Sequence, residues 1–149
     1  MASIIIRSAN QDDIPAILPL IDQLGYPNRM EDLSKRLKKF TEMPGYGVAV
    51  ATIDDIVAGW VAWSSSSFFV FDQIKFRIEG LIVSSSYREK GIGKELMRFV
   101  EATAQEHSPC IIELTSGMRR ANEGTHEFYK KLGYSNEGHM AKLYLRKEL

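Results

Sequence analysis

GLIVSSSYREKGIGKELMRFV, residues Gly80 to Val100, decides how the rest of the chain is read. A β-branched strand end, Leu81-Ile82-Val83, runs into three serines and a basic turn with two glycines. Ile92, Leu96, Phe99, Val100 and Thr103 then repeat at helical spacing. Ser108-Pro109 stops that helix, and Cys110 to Thr115 reads as a second, buried strand. A strand, crossover helix and strand imply that the two strands are parallel. The turn between strand and helix aims backbone N–H groups and the positive end of a helix dipole at one place, where an anion is favoured.

Upstream of this unit, Ile74 to Val83 is the clearest strand. Gly47–Ile53 and Ile56–Trp63 form a hairpin turning at Asp54-Asp55, followed by a serine loop, Ser64 to Ser67. Ser3–Arg7 is a short strand, and capping residues from Ser8 to Asp13 precede a helix marked by Ile14, Ile17, Leu18, Ile21 and Leu24. Met30, Leu33, Leu37 and Phe40 mark a second helix ending near Pro44-Gly45. Downstream, a helix from Asn122 to Leu132 closes on Gly133, and Tyr134–Glu137 and Ala141–Arg146 read as strands. The sum is an α/β fold: one domain over residues 1–149, with a mixed sheet of six or seven strands and about four helices.

Composition narrows the function. The 149 residues are 44% hydrophobic and 26% charged, enough for one globular core. Basic and acidic residues both number 19, so no overall field attracts nucleic acid or an anionic membrane, and an anion site must be local. The three isoleucines near the N-terminus are too short a run for a signal sequence, and no stretch reaches membrane length; the expectation is a soluble cytoplasmic protein. Cys110 is the single cysteine, and His107, His126 and His139 lack metal-ligand spacing, so no metal is expected.

Two nucleotide motifs fail on spacing. A P-loop needs GxxxxGK followed by Ser or Thr, whereas Gly91 and Gly93 stand two apart and Lys94 precedes Glu95. A dinucleotide fingerprint needs glycine where Leu96 stands. What remains is RxxGxG, Arg88 to Gly93, and a second pattern further on: Asn122, Thr125, Phe128, Tyr129, Gly133 and Tyr134. Together, in this order and spacing, they resemble the GNAT superfamily of N-acetyltransferases. The resemblance is specific from Ile78 to Tyr134 and looser before it, where LGYP at Leu24–Pro27 also fits. It departs from the family's pattern at Ser85, where proline is frequent, and at Glu89, where glycine is frequent and a carboxylate facing inward would oppose an anion.

The resemblance implies acetyl-CoA as co-substrate. Leu81, Ile82 and Val83 would contact its pantetheine arm; Arg88, Glu89, Lys90, Gly91, Ile92, Gly93 and Lys94 would wrap the pyrophosphate, and Asn122 would reach the arm or simply cap its helix. Tyr129 matches the position that protonates the departing thiolate, a role suited to a phenol with a reference pKa of about 10. For a base, Glu79 lies two residues before Leu81, so period-two geometry puts both on one face; the alternative is an ordinary carboxylate paired with Arg77 or Lys75. Glu113 is the second choice, and His126 is a substrate contact or a packing histidine. Cys110 reads as a core residue, not a nucleophile.

ELTSGMRR followed by THEFYKKLGY resembles acetyltransferases of the aminoalkylphosphonate and aminoglycoside kind, which implies a small primary amine as acceptor, ahead of a protein N-terminus or lysine. Arg119 and Arg120 either meet an anion there or are ordinary solvated residues. Tyr26, Phe68, Phe69 and Phe71 supply an apolar wall between the Gly25–Met30 turn and the Ser64–Phe71 loop, serving as a pocket lining or as a homodimer contact. A non-catalytic acyl-CoA-binding regulator and a structural interaction domain that has kept only the fold are the rival readings.

Overall fold

The computed structural model describes residues 3–116 and 124–149. The chain divides into two compact units, residues 1–113 and 114–149. The first holds five strands, β1 (Ile4–Ser8), β2 (Gly47–Ile53), β3 (Ile56–Ser67), β4 (Ile74–Val83) and β5 (Cys110–Glu113), in that spatial order. The first four pair antiparallel in sequence. The last two are parallel, joined through helix α3 (Ile92–Gln105) as the crossover pattern requires.

Helices α1 (Ile14–Gln23) and α2 (Met30–Glu42) cover one face of the sheet. Their apolar stripes meet Val50, Trp60 and Ile82 in one buried cluster with Ile14, Ile17, Leu20, Leu33 and Leu37. Successive strand residues face opposite ways, so Gly59 and Trp63 look toward α3 instead. The Trp63 and Phe99 rings lie 6.0 Å apart, and a Cβ on Gly59 would stand 3.4 Å from Leu96 Cδ1. Each fully buried Leu, Ile or Val in these layers contributes about 1.5–3 kcal/mol of transfer free energy.

The entry to α1 is fixed by charge and capping. Asn10 and Asp13 form a reciprocal capping box around the short 3-10 turn Gln11–Asp13. Arg7 donates two hydrogen bonds, both 2.8 Å, to the carboxylate of Asp13, which is buried. That contact, with the Asn10 N–H behind it, outweighs desolvation and holds the Asp13 carboxyl below its ordinary range.

The β2–β3 hairpin turns at Asp54 and Asp55, with φ of 50° and 64°. Both central residues are left-handed, as a type I′ turn demands, and aspartate tolerates that conformation better than most side chains.

Three expectations need correction. Ser64 to Ser67 is not a loop: these serines extend β3 and pair with Arg77, Phe76, Lys75 and Ile74. Serine has little strand preference of its own, and the long partner strand overrides it. The connecting loop is therefore 68–73. The sheet has five strands among the described residues, not six or seven, because neither Tyr134–Glu137 nor Ala141–Arg146 is a strand. There, the Lys142 N–H donates to Asn136 Oδ1 at 2.6 Å, and Asn136 Nδ2 donates to the Lys142 carbonyl at 3.0 Å. One amide side chain thus takes both backbone groups that a ladder would use at residue 142.

In the second unit, α4 spans Thr125–Lys131. The Gly133 N–H donates to the Lys130 carbonyl and the Tyr134 N–H to that of Tyr129, with Gly133 at φ 95°. This is the Schellman closure expected from Gly133. No helix among the described residues is long and apolar enough to cross a membrane.

Candidate active site

β4 is the strand on which the site is built, and it changes partners along its length. Ile74 to Arg77 lie between β3 and β5, but β5 ends opposite Arg77 at Glu113. From Ile78 to Val83 the edge of β4 away from β3 has no strand partner among the described residues. An open edge offers backbone donors and acceptors to an extended ligand.

At its end the strand turns sharply. The Ser84 N–H donates to the Ala58 carbonyl at 2.7 Å, tying the turn to β3, and the Tyr87 N–H closes a 3-10 turn on the Ser84 carbonyl at 2.9 Å. Glu89 (φ 63°) and Gly91 (φ 82°) then both adopt left-handed conformations, and Gly91 caps α3. The first helical bond runs from the Glu95 N–H to the Gly91 carbonyl, so the N–H groups of Ile92, Gly93 and Lys94 precede it without helical acceptors. None of the described residues stands within 4 Å of a Cβ built on Gly91. Ile92 anchors the helix start in the core at 1% exposure, while Arg88, Lys90 and Lys94 are exposed around the turn.

Glu89, the carboxylate that sits awkwardly in an anion site, is exposed. Its position requires a positive φ, which explains why glycine suits it; a side chain here carries about 1–2 kcal/mol of backbone strain.

Glu79 corrects a piece of sequence geometry. Ala62 pairs with Gly80 and Trp63 with Ile78, so Glu79 is the extra residue of a β-bulge. The bulge breaks the two-residue alternation. Leu81, opposite Val61, belongs to the α3 side, while Glu79 turns to the other face and accepts a hydrogen bond from Ser64 Oγ at 2.7 Å. Glu79 and Leu81 therefore do not share a face. Gly80 makes room for the bulge, since a Cβ there would stand 2.7 Å from Trp60 Cη2 and 2.9 Å from Cζ3.

Beside Glu79, Arg77 Nε is 3.9 Å from its carboxylate, and Arg77 Nη1 is 3.5 Å from Glu113. Lys75 Nζ reaches Glu113 at 4.0 Å and lies 5.2 Å from the centre of the Phe68 ring. Phe68 stacks edge-on against Phe71 at 5.4 Å, while Phe69 is fully exposed. Tyr26 is exposed on the α1–α2 connection.

Tyr129 belongs to the second unit, half-buried on α4, with Phe128 at 5.0 Å and Tyr134 at 6.1 Å between ring centres. His126 is half-buried on the same helix. Asn122, Arg119 and Arg120 lie outside the described residues. Cys110 is half-buried at the start of β5, and no cluster of metal-ligating side chains occurs among the described residues. Sequence reasoning missed Ser64 and the Trp60–Gly80 contact. The signal for the second was present: an isolated glycine inside a strand pattern marks a bulge or a close approach.

An open strand edge leading into a turn with helix N–H groups that lack helical acceptors has the geometry to take an extended, anion-bearing ligand. Comparison with known proteins says which. Residues 14–134 match the model of the Acetyltransferase (GNAT) family. An uncharacterized N-acetyltransferase of Archaeoglobus fulgidus is 30% identical over 132 residues, 83% of this chain and 88% of the relative. A GNAT family acetyltransferase of Staphylococcus aureus superimposes with TM-score 0.79 at 28% identity, covering 99% of both chains. The aminoglycoside N-acetyltransferase AAC(6')-Iy, solved in complex with CoA, shares the fold at TM-score 0.81 and 16% identity, over 100% of this chain and 97% of that one. The chain belongs to the GNAT acetyltransferase family, whose co-substrate is acetyl-CoA.

Proposed function

We propose that the protein transfers the acetyl group of acetyl-CoA to the primary amine of a small molecule by direct attack. The observation that carries this reading is the unpaired edge of β4 from Ile78 to Val83, continuous with the left-handed turn at Gly91 and the N–H groups of Ile92, Gly93 and Lys94. That geometry fits a pantetheine arm followed by a pyrophosphate, with Leu81, Ile82 and Val83 along the arm and Arg88, Lys90 and Lys94 lowering the cost of the phosphate charge. Asn122 completes the cofactor set on the family's pattern.

Acetyl-CoA supplies an activated acetyl group and a thiolate leaving group. Glu79 takes a proton from the acceptor's ammonium, directly or through water, so that the nitrogen lone pair is free to form the new C–N bond. Ser64 and Arg77 keep that carboxylate oriented. Backbone N–H groups near Leu81 to Val83 stabilise the carbonyl oxygen as it gains charge. Tyr129 donates its phenolic proton to the sulfur as the C–S bond breaks, and the second proton shed by the nitrogen as the amide forms restores the phenol through water.

The test is free-thiol release over a panel of amines with wild type and Tyr129→Phe. Loss of a general acid lowers kcat about a hundredfold or more and leaves the acetyl-CoA KM nearly unchanged. Equal rates in both proteins would remove Tyr129 as the acid.

A further inference from the structure

The exposed part of β3, β4 and β5 beside Glu79 carries charges of both signs, and their pairing says what kind of amine fits. Lys75 and Arg77 lead along β4 to Glu79 at the bulge, and Glu113 reaches both cations from β5. Each carboxylate has a cation within 4.0 Å, so the strip is two positive against two negative, with no net charge. All four side chains are 31–38% exposed, open enough for a solute to exchange with these internal contacts.

Resting on the acetyl-transfer reading above, we infer that the acceptor is an amine carrying its own anionic group, a carboxylate or phosphonate a few bonds from the nitrogen. Its ammonium approaches Glu79, and its anion is met by Arg77, with Lys75 behind. Arg77 Nε and the Glu79 carboxylate stand 3.9 Å apart, matching the separation of the two charges in a short zwitterion. A guanidinium fork also suits either anion in bidentate fashion. A polycation such as an aminoglycoside or polyamine would need a surplus of negative charge, and this strip has none: every carboxylate that it engaged would have to give up its own cation. Phe68, held by Lys75 at 5.2 Å, adds an apolar flank for a short carbon chain and no further charge.

The experiment measures initial thiol release with β-alanine, glycine and 2-aminoethylphosphonate, their neutral counterparts propylamine and glycinamide, and the polycations spermidine and kanamycin. At least one zwitterion should exceed its neutral counterpart and both polycations tenfold or more in kcat/KM; the carboxylate and phosphonate arms identify the anion. Arg77→Gln should raise KM for that zwitterion at least tenfold more than for its neutral counterpart, since any loss from a less firmly oriented Glu79 falls on all amines alike, and Arg77→Lys should partly restore the difference. Lys75→Gln should act in the same direction more weakly. Acetyl-CoA-induced thermal stabilisation, unchanged in the variants, certifies their folding. Preference for a polycation, or an equal loss of rate for all amines in Arg77→Gln, overturns the inference and leaves acetyl transfer standing. Absence of turnover with every amine, despite stabilisation by acetyl-CoA, overturns the acetyl-transfer reading and this inference with it.

Discussion

Gly80→Ala probes whether the bulge that places Glu79 depends on the empty space at residue 80. A methyl there meets Trp60 Cη2 at 2.7 Å and Cζ3 at 2.9 Å, against an ordinary carbon contact of about 3.5–4.0 Å. The indole cannot simply step aside, being 8% exposed and packed in the α1–α2 core. Strand propensity alone would make alanine better than glycine by roughly 0.5–1 kcal/mol. Overpacking costs about 1–3 kcal/mol in the other direction, and two ring contacts under 3.0 Å put this site in the upper half of that range, so the net change is about 1–2.5 kcal/mol of lost stability, or about 2–10 °C in Tm for a domain of this size. The cycle closes with Trp60→Phe, which removes the outer ring atoms that clash and also a buried indole N–H that has no hydrogen-bond partner among the described residues. Urea denaturation of the four proteins should show the cost of Gly80→Ala falling by at least about 1 kcal/mol in the Trp60→Phe background. A neutral or stabilising Gly80→Ala, or a cost that persists beside Trp60→Phe, refutes the packing explanation.

Two further outcomes follow from local features. Glu89→Gly releases the strain of φ 63° but loses unfolded-state restriction of similar size, so stability should change by less than about 1 kcal/mol while acetyl-CoA binds several-fold tighter; titration calorimetry showing equal or weaker binding contradicts the anion-cradle reading. Asp13 is held below its ordinary pKa by Arg7, so its contribution is complete above the unfolded value of about 3.9 and disappears as pH falls through the folded one. Asp13→Asn should therefore cost about 1–3 kcal/mol at pH 7, and the gap from wild type in thermal unfolding should narrow markedly by pH 3; a constant gap would show that the charge does not matter.

The elements legible in the sequence were those whose pattern and packing agree. The apolar stripe of Ile92, Leu96 and Val100 is buried as its spacing implies, β4 has the expected bounds, and Gly133 closes α4. Gly91 announces its left-handed backbone because glycine is at ease there, whereas Glu89 adopts the same conformation with nothing in its side chain to signal it. The four serines ending β3 have no strand signature and are ordered by what lies across from them. The bulge at Glu79 is hidden from a two-residue alternation, which runs through Gly80 as in a regular strand. Residues near one another in the turn were thus readable, while the facing of Glu79 depended on pairing register, a property of two strands together.

The change of partners along β4 has a mechanical side. β2 reaches only as far as Trp63 on β3, and β5 only as far as Arg77 on β4, so among the described strands it is β3 and β4 that run through both a four-strand sheet at one end and a three-strand sheet at the other. The bulge falls at that joint. Bulges add local twist, so the course of the open edge at residues 78–83 beyond the end of β5 is set at this joint.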